Sequence, residues 1–289
     1  MKIAITTNQE PSHYYLVEQV AKKFTDAQIL WIAQAHQRGA GKSVIQRFWN
    51  CVTEFGFWTA IWFIHYGRRR RQERILVEQN VYGNVPRSFE ALVSKYGNVK
   101  PVPAPNVNDA NTVKTLSDFD PDVFVLQGGK MLKEKFLAAM PKKRLHLHNG
   151  LVPWYRGGSS VFWSFHNHRP QDVGFTIQDV DIGIDTGGVF VRRSLADKVA
   201  GDDSEFDIVS KIQKMGVEEL LGMIERVLKG GTPVAVANTK KGKNYTGRML
   251  TPKALLDVYG NWRRTRDSLV SEKKIRTSPE DIDCDWNIS

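Results

Sequence analysis

Two histidines one residue apart, His146 and His148, precede the turn Asn149-Gly150-Leu151-Val152-Pro153-Trp154-Tyr155-Arg156-Gly157. The acidic, glycine-punctuated run Asp179-Val180-Asp181-Ile182-Gly183-Ile184-Asp185-Thr186-Gly187 follows. Imidazoles, carboxylates and exposed backbone in one neighbourhood suit proton transfer. On a strand the period of two puts His146 and His148 on the same face. A carboxylate beside them would orient a ring and raise its proton affinity. Asp185 between glycines suits that task, or a plain Asx turn. By spacing alone, Asp179 and Asp181 compete with it.

These residues need a strand-end scaffold, and the flanking pattern supplies one. Lys2 to Thr7, Ala27 to Ala33, Val123 to Gln127, Arg144 to His148, Gly174 to Val180 and Val189 to Arg193 read as strands. Tyr14 to Phe24, Met131 to Met140, Val161 to Phe165 and Phe206 to Leu228 read as helices, the last a long amphipathic one with Gly216 and Gly222 inside it. Strands alternating with helices predict an α/β fold with a mostly parallel, Rossmann-like sheet. Ligands in such sheets sit beyond the carboxyl ends of strands. That end would gather Gln127 to Leu132, His146 to Gly150 and the loop before Asp185.

The segment from Val44 to Tyr66 is rich in Trp and Phe, and Arg68-Arg69-Arg70-Arg71 with Arg74 follows it. Arg47, Asn50 and Glu54 fall at helical spacing. The apolar part is too short to span a bilayer, which needs about 20 residues. Two readings stand: a buried or dimer-forming helix with a solvated basic end, or peripheral contact of residues 44–74 with an anionic membrane.

The chain has 289 residues and a net charge of +10, with a second basic run at Lys240-Lys241-Lys243. Such charge invites nucleic acid, membrane or phosphorylated partners without choosing among them. Cys51 and Cys284, far apart, suggest neither a disulfide framework nor a metal knuckle, and a reducing cytoplasm is the expected setting. The first residues read as a strand and not as a signal peptide.

The stretch from His148 to Gly157, the strand Gly174-Phe175-Thr176 and the loop from Asp181 to Gly187 resemble the folate-dependent formyltransferases. That family includes methionyl-tRNA, glycinamide ribonucleotide and sugar N-formyltransferases. The resemblance covers about residues 120 to 250. It implies that an amine attacks the formyl carbon of 10-formyltetrahydrofolate as co-substrate, with His148 and Asp185 as catalytic residues. It implies a folate pocket bordered by Gly129, Lys130, Met131 and Leu132, and closed by Val180, Asp181, Ile182, Gly183 and Ile184. Metal is not implied.

His146 departs from the pattern, standing where the family has an Asn that donates to the oxyanion. Losing such a donor costs about 10²–10³ in rate, although a histidine N–H can donate. A site with altered or lost catalysis, or a metal-dependent hydrolase built on His146, His148 and Asp185, are the alternatives. The expected organisation is an α/β domain over 1–230, an aromatic and basic insert at about 40–80, and an extension over 231–289. Asn244 to Arg248 resembles the family's segment after the long helix. The remaining length is short for the C-terminal barrel of methionyl-tRNA formyltransferases. The expected partner is therefore a small amine, most plausibly an amino sugar that is nucleotide- or lipid-linked, with no nucleic acid. A homodimer is an open option.

Overall fold

The computed structural model describes residues 1–34, 43–86, 88–239, 242–271 and 279–287, without the side chains of Val44 and Arg47. Lys240 and Lys241 of the second basic run lie outside the described residues.

The elements run β1 (Lys2–Asn8), α1 (Pro11–Lys23), β2 (Gln28–Gln34), α2 (Val44–Phe55), α3 (Phe57–Tyr82), α4 (Phe89–Lys95), β3 (Val99–Ala104), α5 (Ala110–Phe119), β4 (Val123–Gln127) and α6 (Glu134–Ala138). They continue β5 (Arg144–His148), β6 (Tyr155–Gly157), α7 (Ser160–His166), β7 (Gly174–Gln178), β8 (Val189–Ser194), α8 (Glu205–Leu228), β9 (Thr232–Val234), β10 (Lys243–Tyr245), α9 (Pro252–Ser271) and β11 (Asp285–Asn287).

Seven strands form the main sheet in the order β3-β2-β1-β4-β5-β7-β8. The five from β3 to β5 are parallel, and β7 and β8 add antiparallel. Apolar strands such as Val123-Phe124-Val125-Leu126 are buried on both faces, as helix-covered parallel strands require. One face meets α1 and α8 through Trp31, Leu145, Leu147, Ile212 and Leu220; the other buries Leu30, Phe124 and Phe136. Each large side chain so buried contributes roughly 1.5–3 kcal/mol before entropy is counted.

Two expected boundaries are corrected, and the long helix stands. The helix read over Met131 to Met140 is only the five residues of α6, because 131–133 are held as a loop by Asn108: its side-chain amide donates to the Met131 carbonyl at 3.0 Å and accepts from the Lys133 N–H at 2.7 Å. The strand read to Val180 ends at Gln178. The long helix α8 is unbroken; a Cβ at Gly216 would stand 2.8 Å from Leu147 Cδ1, so this glycine lets the helix close on the sheet.

The aromatic segment folds as a helical hairpin. Gly56 takes φ +87°, a left-handed value open to glycine, and splits α2 from α3. The basic run is solvated in part: Arg68, Arg69 and Arg71 are exposed, whereas Arg70 and Arg74 are engaged. Arg70 Nη2 pairs with the buried Glu205 Oε1 at 2.9 Å, its guanidinium lies over Phe206, and Tyr259 completes the cluster. Arg74 bridges Glu10 and Glu78 at 2.9 and 2.7 Å. Nor is the segment simply buried, since Trp49, Phe57 and Trp58 face solvent.

Residues after 231 pack back on the sheet domain. β10 pairs parallel with β6, β11 pairs with β9, and Ile282 bridges Arg192.

Candidate functional site

β5 ends at the carboxyl edge of the parallel strands, and its alternation separates two roles. Leu145 and Leu147 enter the core against α8, while Arg144, His146 and His148 share the other face. The rings of His146 and His148 lie 6.3 Å apart between centroids. A cleft of about 450 Å³ opens over them.

Asp185 comes to both imidazoles. Its Oδ1 is 3.5 Å from His146 Nδ1, and its Oδ2 is 3.5 Å from His148 Nδ1. The Gly157 N–H donates to Oδ2 at 2.7 Å, and the Gln178 side-chain amide donates to Oδ1 at 3.1 Å. Burial pushes the Asp185 carboxyl up, but His148, His146, the Gly157 N–H and Arg156 outweigh it and hold the group below its ordinary range. It is therefore ionised at neutral pH.

The competing carboxylates are occupied elsewhere. Asp179 makes a two-point pair with Arg144, at 2.9 and 3.0 Å, which fixes the start of the acidic loop. Asp181 folds that loop by accepting from Gly183 N–H and from Thr186 Oγ1.

His148 Nε2 is 2.7 Å from the Tyr155 carbonyl. A carbonyl can only accept, so Nε2 carries the hydrogen and Nδ1, facing Asp185, is the nitrogen free to take a proton. Gly150 permits this crowding: a Cβ there would meet Ser160 Oγ at 2.4 Å and His148 Nε2 at 2.6 Å. His146 behaves differently. Burial holds its pKa down to about 4, against the pull of Asp185, so the ring is neutral at pH 7. With Asp185 between them, the two Nδ1 atoms are directed at its separate oxygens. Among the described residues no three His, Cys, Asp or Glu side chains are arranged to hold a metal ion.

The residues expected to border a cofactor divide. Gly129, Lys130, Met131, Leu132, Val180, Asp181, Gly183 and Ile184 line the cleft with His146, His148 and Asp185. Ile182 does not; it turns to a neighbouring hollow beside Asn108 and Phe136. Gln34 pins the first segment by accepting from the Lys130 N–H at 2.9 Å. Leu132 and Val180 supply a buried apolar wall, and Met131 and Ile184 an exposed lip.

Several residues in or behind the cleft wall carried no separate signal in the sequence. Gln178 is one; its place at the end of an apolar strand is the trace it leaves. Gln213 of α8 ties Gln127 and Asn149 together through its side-chain oxygen, at 2.5 and 2.9 Å. His13, beside Gly128, and Ser160 also line the cleft, together with Asn244, Tyr245 and Thr246 of the segment already marked in the sequence. Tyr245 is held there by stacking between Tyr155 and Trp163.

The chain is similar to known proteins in three ways. It is 28% identical to the methionyl-tRNA formyltransferase of Caldanaerobacter subterraneus subsp. tengcongensis over 124 residues, 43% of this chain and 39% of that protein. It is 30% identical to that of Anaeromyxobacter dehalogenans over 131 residues, 45% of this chain and 41% of that protein. The matched part thus spans about two fifths of these curated relatives. Among solved structures, the N-formyltransferase from Helicobacter canadensis aligns over 97% of this chain and 84% of its own, with TM-score 0.54 and 12% identity. The 4-N formyltransferase from Francisella tularensis aligns over 86% and 76%, with TM-score 0.53 and 17% identity. At these identities the likeness is one of fold. The family model for formyl transferase matches residues 78–224, about half of the chain and the whole path from α3 through β5 and Asp185 into α8. This chain belongs to the formyl transferase family.

Proposed function

We propose that this protein is an N-formyltransferase that moves a formyl group from 10-formyltetrahydrofolate to the amine of an amino sugar, nucleotide- or lipid-linked. The observation that carries the reading is the Asp185 carboxylate set between His146 and His148 in a strand-end cleft. The solved relative from Helicobacter canadensis is a complex with folinic acid and dTDP-3-aminofucose, which supports both halves of the proposal.

The cleft suits a folate. A pterin is flat, apolar on its faces and rich in N–H donors along one edge. Leu126, Leu132 and Val180 offer apolar surface. The irregular backbone of 128–132 and 180–184 offers carbonyls. Asn149 Oδ1 is buried without a hydrogen-bond partner among the described residues, an acceptor that such a ligand would satisfy. Gly129, Lys130, Met131, Leu132, Val180, Asp181, Gly183 and Ile184 would hold the co-substrate, and the acceptor amine would enter past Ser160 and Asn244.

The acceptor nitrogen attacks the formyl carbon, forming the new C–N bond and an oxyanion. The carbon's bond to the folate nitrogen then breaks, and one proton passes from the attacking amine to that leaving nitrogen. His148 Nδ1 takes this proton. The resulting imidazolium has both N–H groups answered, one by the Tyr155 carbonyl and one by Asp185, so the charge is stabilised where it forms. Gln178 donates towards His146 Nδ1 from 3.4 Å, which leaves the His146 hydrogen on Nε2. That N–H is the donor to the oxyanion, replacing an amide.

The testing experiment supplies 10-formyltetrahydrofolate with a panel of amino sugars, and methionyl-tRNA as a control acceptor. Formylation of an amino sugar that depends on His148 supports the reading. Formylation of the tRNA alone would replace its acceptor.

A further inference from the structure

The hairpin of α2 and α3 has a feature that formyl transfer does not use. Ile45 and Trp49 lie one turn apart on α2 and are 69% and 57% exposed; Phe57 and Trp58 at the start of α3 are 50% and 78% exposed. Phe48, Trp49, Phe57 and Trp58 touch ring to ring, with centroids 5.6 to 6.2 Å apart, around the turn at Gly56. Down the same face of α3 the character changes in order. Trp58 and Ile61 come first, then His65, Arg68 and Arg69. Between these groups lies a hollow of about 600 Å³, lined by Ile61, Ile64, His65, Arg68, Arg69 and Gln72. The segment 43–74 holds six arginines against Glu54 and Glu73.

The base of the hairpin is fixed. Trp62 stacks on Tyr66 at 4.8 Å, Tyr66 meets Tyr259 at 4.7 Å, and Arg70 is locked to Glu205. These anchors also give direction. Lys143, just before β5, donates to the Val227 carbonyl near the end of α8, whereas Gln213 reaches the cleft residue Asn149. α8 therefore runs from the cleft end of the sheet towards its opposite end. Glu205, which holds Arg70, is its first residue. Trp58 lies about 18 Å along α3 from Arg70, at 1.5 Å per residue.

We infer that this hairpin is a docking arm for an anionic lipid bilayer: its aromatic tip enters the headgroup boundary while Arg68, Arg69 and Arg71 meet lipid phosphates. An amphipathic surface helix buries its apolar face by about 5–10 Å. That depth takes in Trp49, Phe57 and Trp58 and leaves the arginines, two to three turns further on, at the level of the charge. Among the described residues no helix is long and apolar enough to cross a membrane, so the arm lies at the surface. A docked protein would meet a lipid-linked acceptor at the surface that holds it; that last step rests on the proposed function, whereas the docking does not.

The test is co-sedimentation of the full chain with vesicles of phosphatidylcholine alone, and of phosphatidylcholine with phosphatidylglycerol. Binding is expected to the anionic vesicles, to weaken with added salt, and to fall about five-fold for each of Arg68→Gln and Arg69→Gln. The pair Trp49→Ser and Trp58→Ser, with an unchanged circular dichroism spectrum, should abolish it. Should that pair not fold, brominated acyl chains must still quench wild-type tryptophan fluorescence. Equal binding to both vesicle types, no binding, or no quenching would overturn the inference. So would a dimer in sedimentation equilibrium that the tryptophan pair dissolves, since the tip would then cover a second copy of the chain.

Discussion

His146 and Gln178 are register partners on the antiparallel strands β5 and β7, and the Gln178 amide nitrogen lies 3.4 Å from His146 Nδ1 and 3.1 Å from Asp185 Oδ1. One amide thus orients the residue that departs from the family's pattern and the carboxylate that the reaction needs. An amide nitrogen only donates, so Gln178 makes acceptors of both neighbours.

Gln178→Leu should therefore lower kcat by about tenfold or more while leaving KM for folate nearly unchanged, because it frees the His146 tautomer and removes one donor from Asp185. Steady-state kinetics with separate kcat and KM check this. A change confined to KM would assign Gln178 to binding.

His146→Asn restores the amide that the family resemblance places there. Turnover is expected to hold or rise, since an amide donates as well as a neutral imidazole and does not titrate. A loss of about 10²-fold would mean that the ring itself is required.

The same variant has a stability signature. His146 titrates at about 4 in the folded protein against an ordinary 6.5. Above pH 6.5 the ring is neutral in both states. As pH falls the unfolded chain takes the proton first, so stability drops between about 6.5 and 4. Urea titrations across that range should show a steeper acid decline for the wild type than for His146→Asn. Parallel curves would contradict the assigned shift.

Arg70→Met should cost about 3–5 kcal/mol of unfolding free energy, the range for leaving a buried carboxylate unpaired. Glu205 is 5% exposed in its side chain and depends on Arg70 and Tyr259. The double variant Arg70→Met with Glu205→Gln should recover part of the loss. Thermal melts compare the three.

Much of this site was legible because chemistry and period coincide. The alternation along Arg144-Leu145-His146-Leu147-His148 put two imidazoles on one face, and Gly128-Gly129 after an apolar strand marked a turn at the cleft edge. Spacing could not choose among Asp179, Asp181 and Asp185, because Arg144 and Thr186, which engage the first two, are identified only by three-dimensional contacts. The edge strand Val99–Ala104 was hidden by Pro101 and Pro103, which its outer position tolerates. Arg70 looked solvated like Arg68, Arg69 and Arg71 beside it because its partner, Glu205, lies 135 residues away.

The most direct measurement is transfer of isotopically labelled formyl from 10-formyltetrahydrofolate to amino sugars by the wild type and by His148→Ala. The account predicts labelled formamide on at least one amino sugar, made at least about 10²-fold more slowly by the variant, with folate binding retained in both. Equal rates in the two proteins, or bound folate with no transfer to any amine, would contradict it.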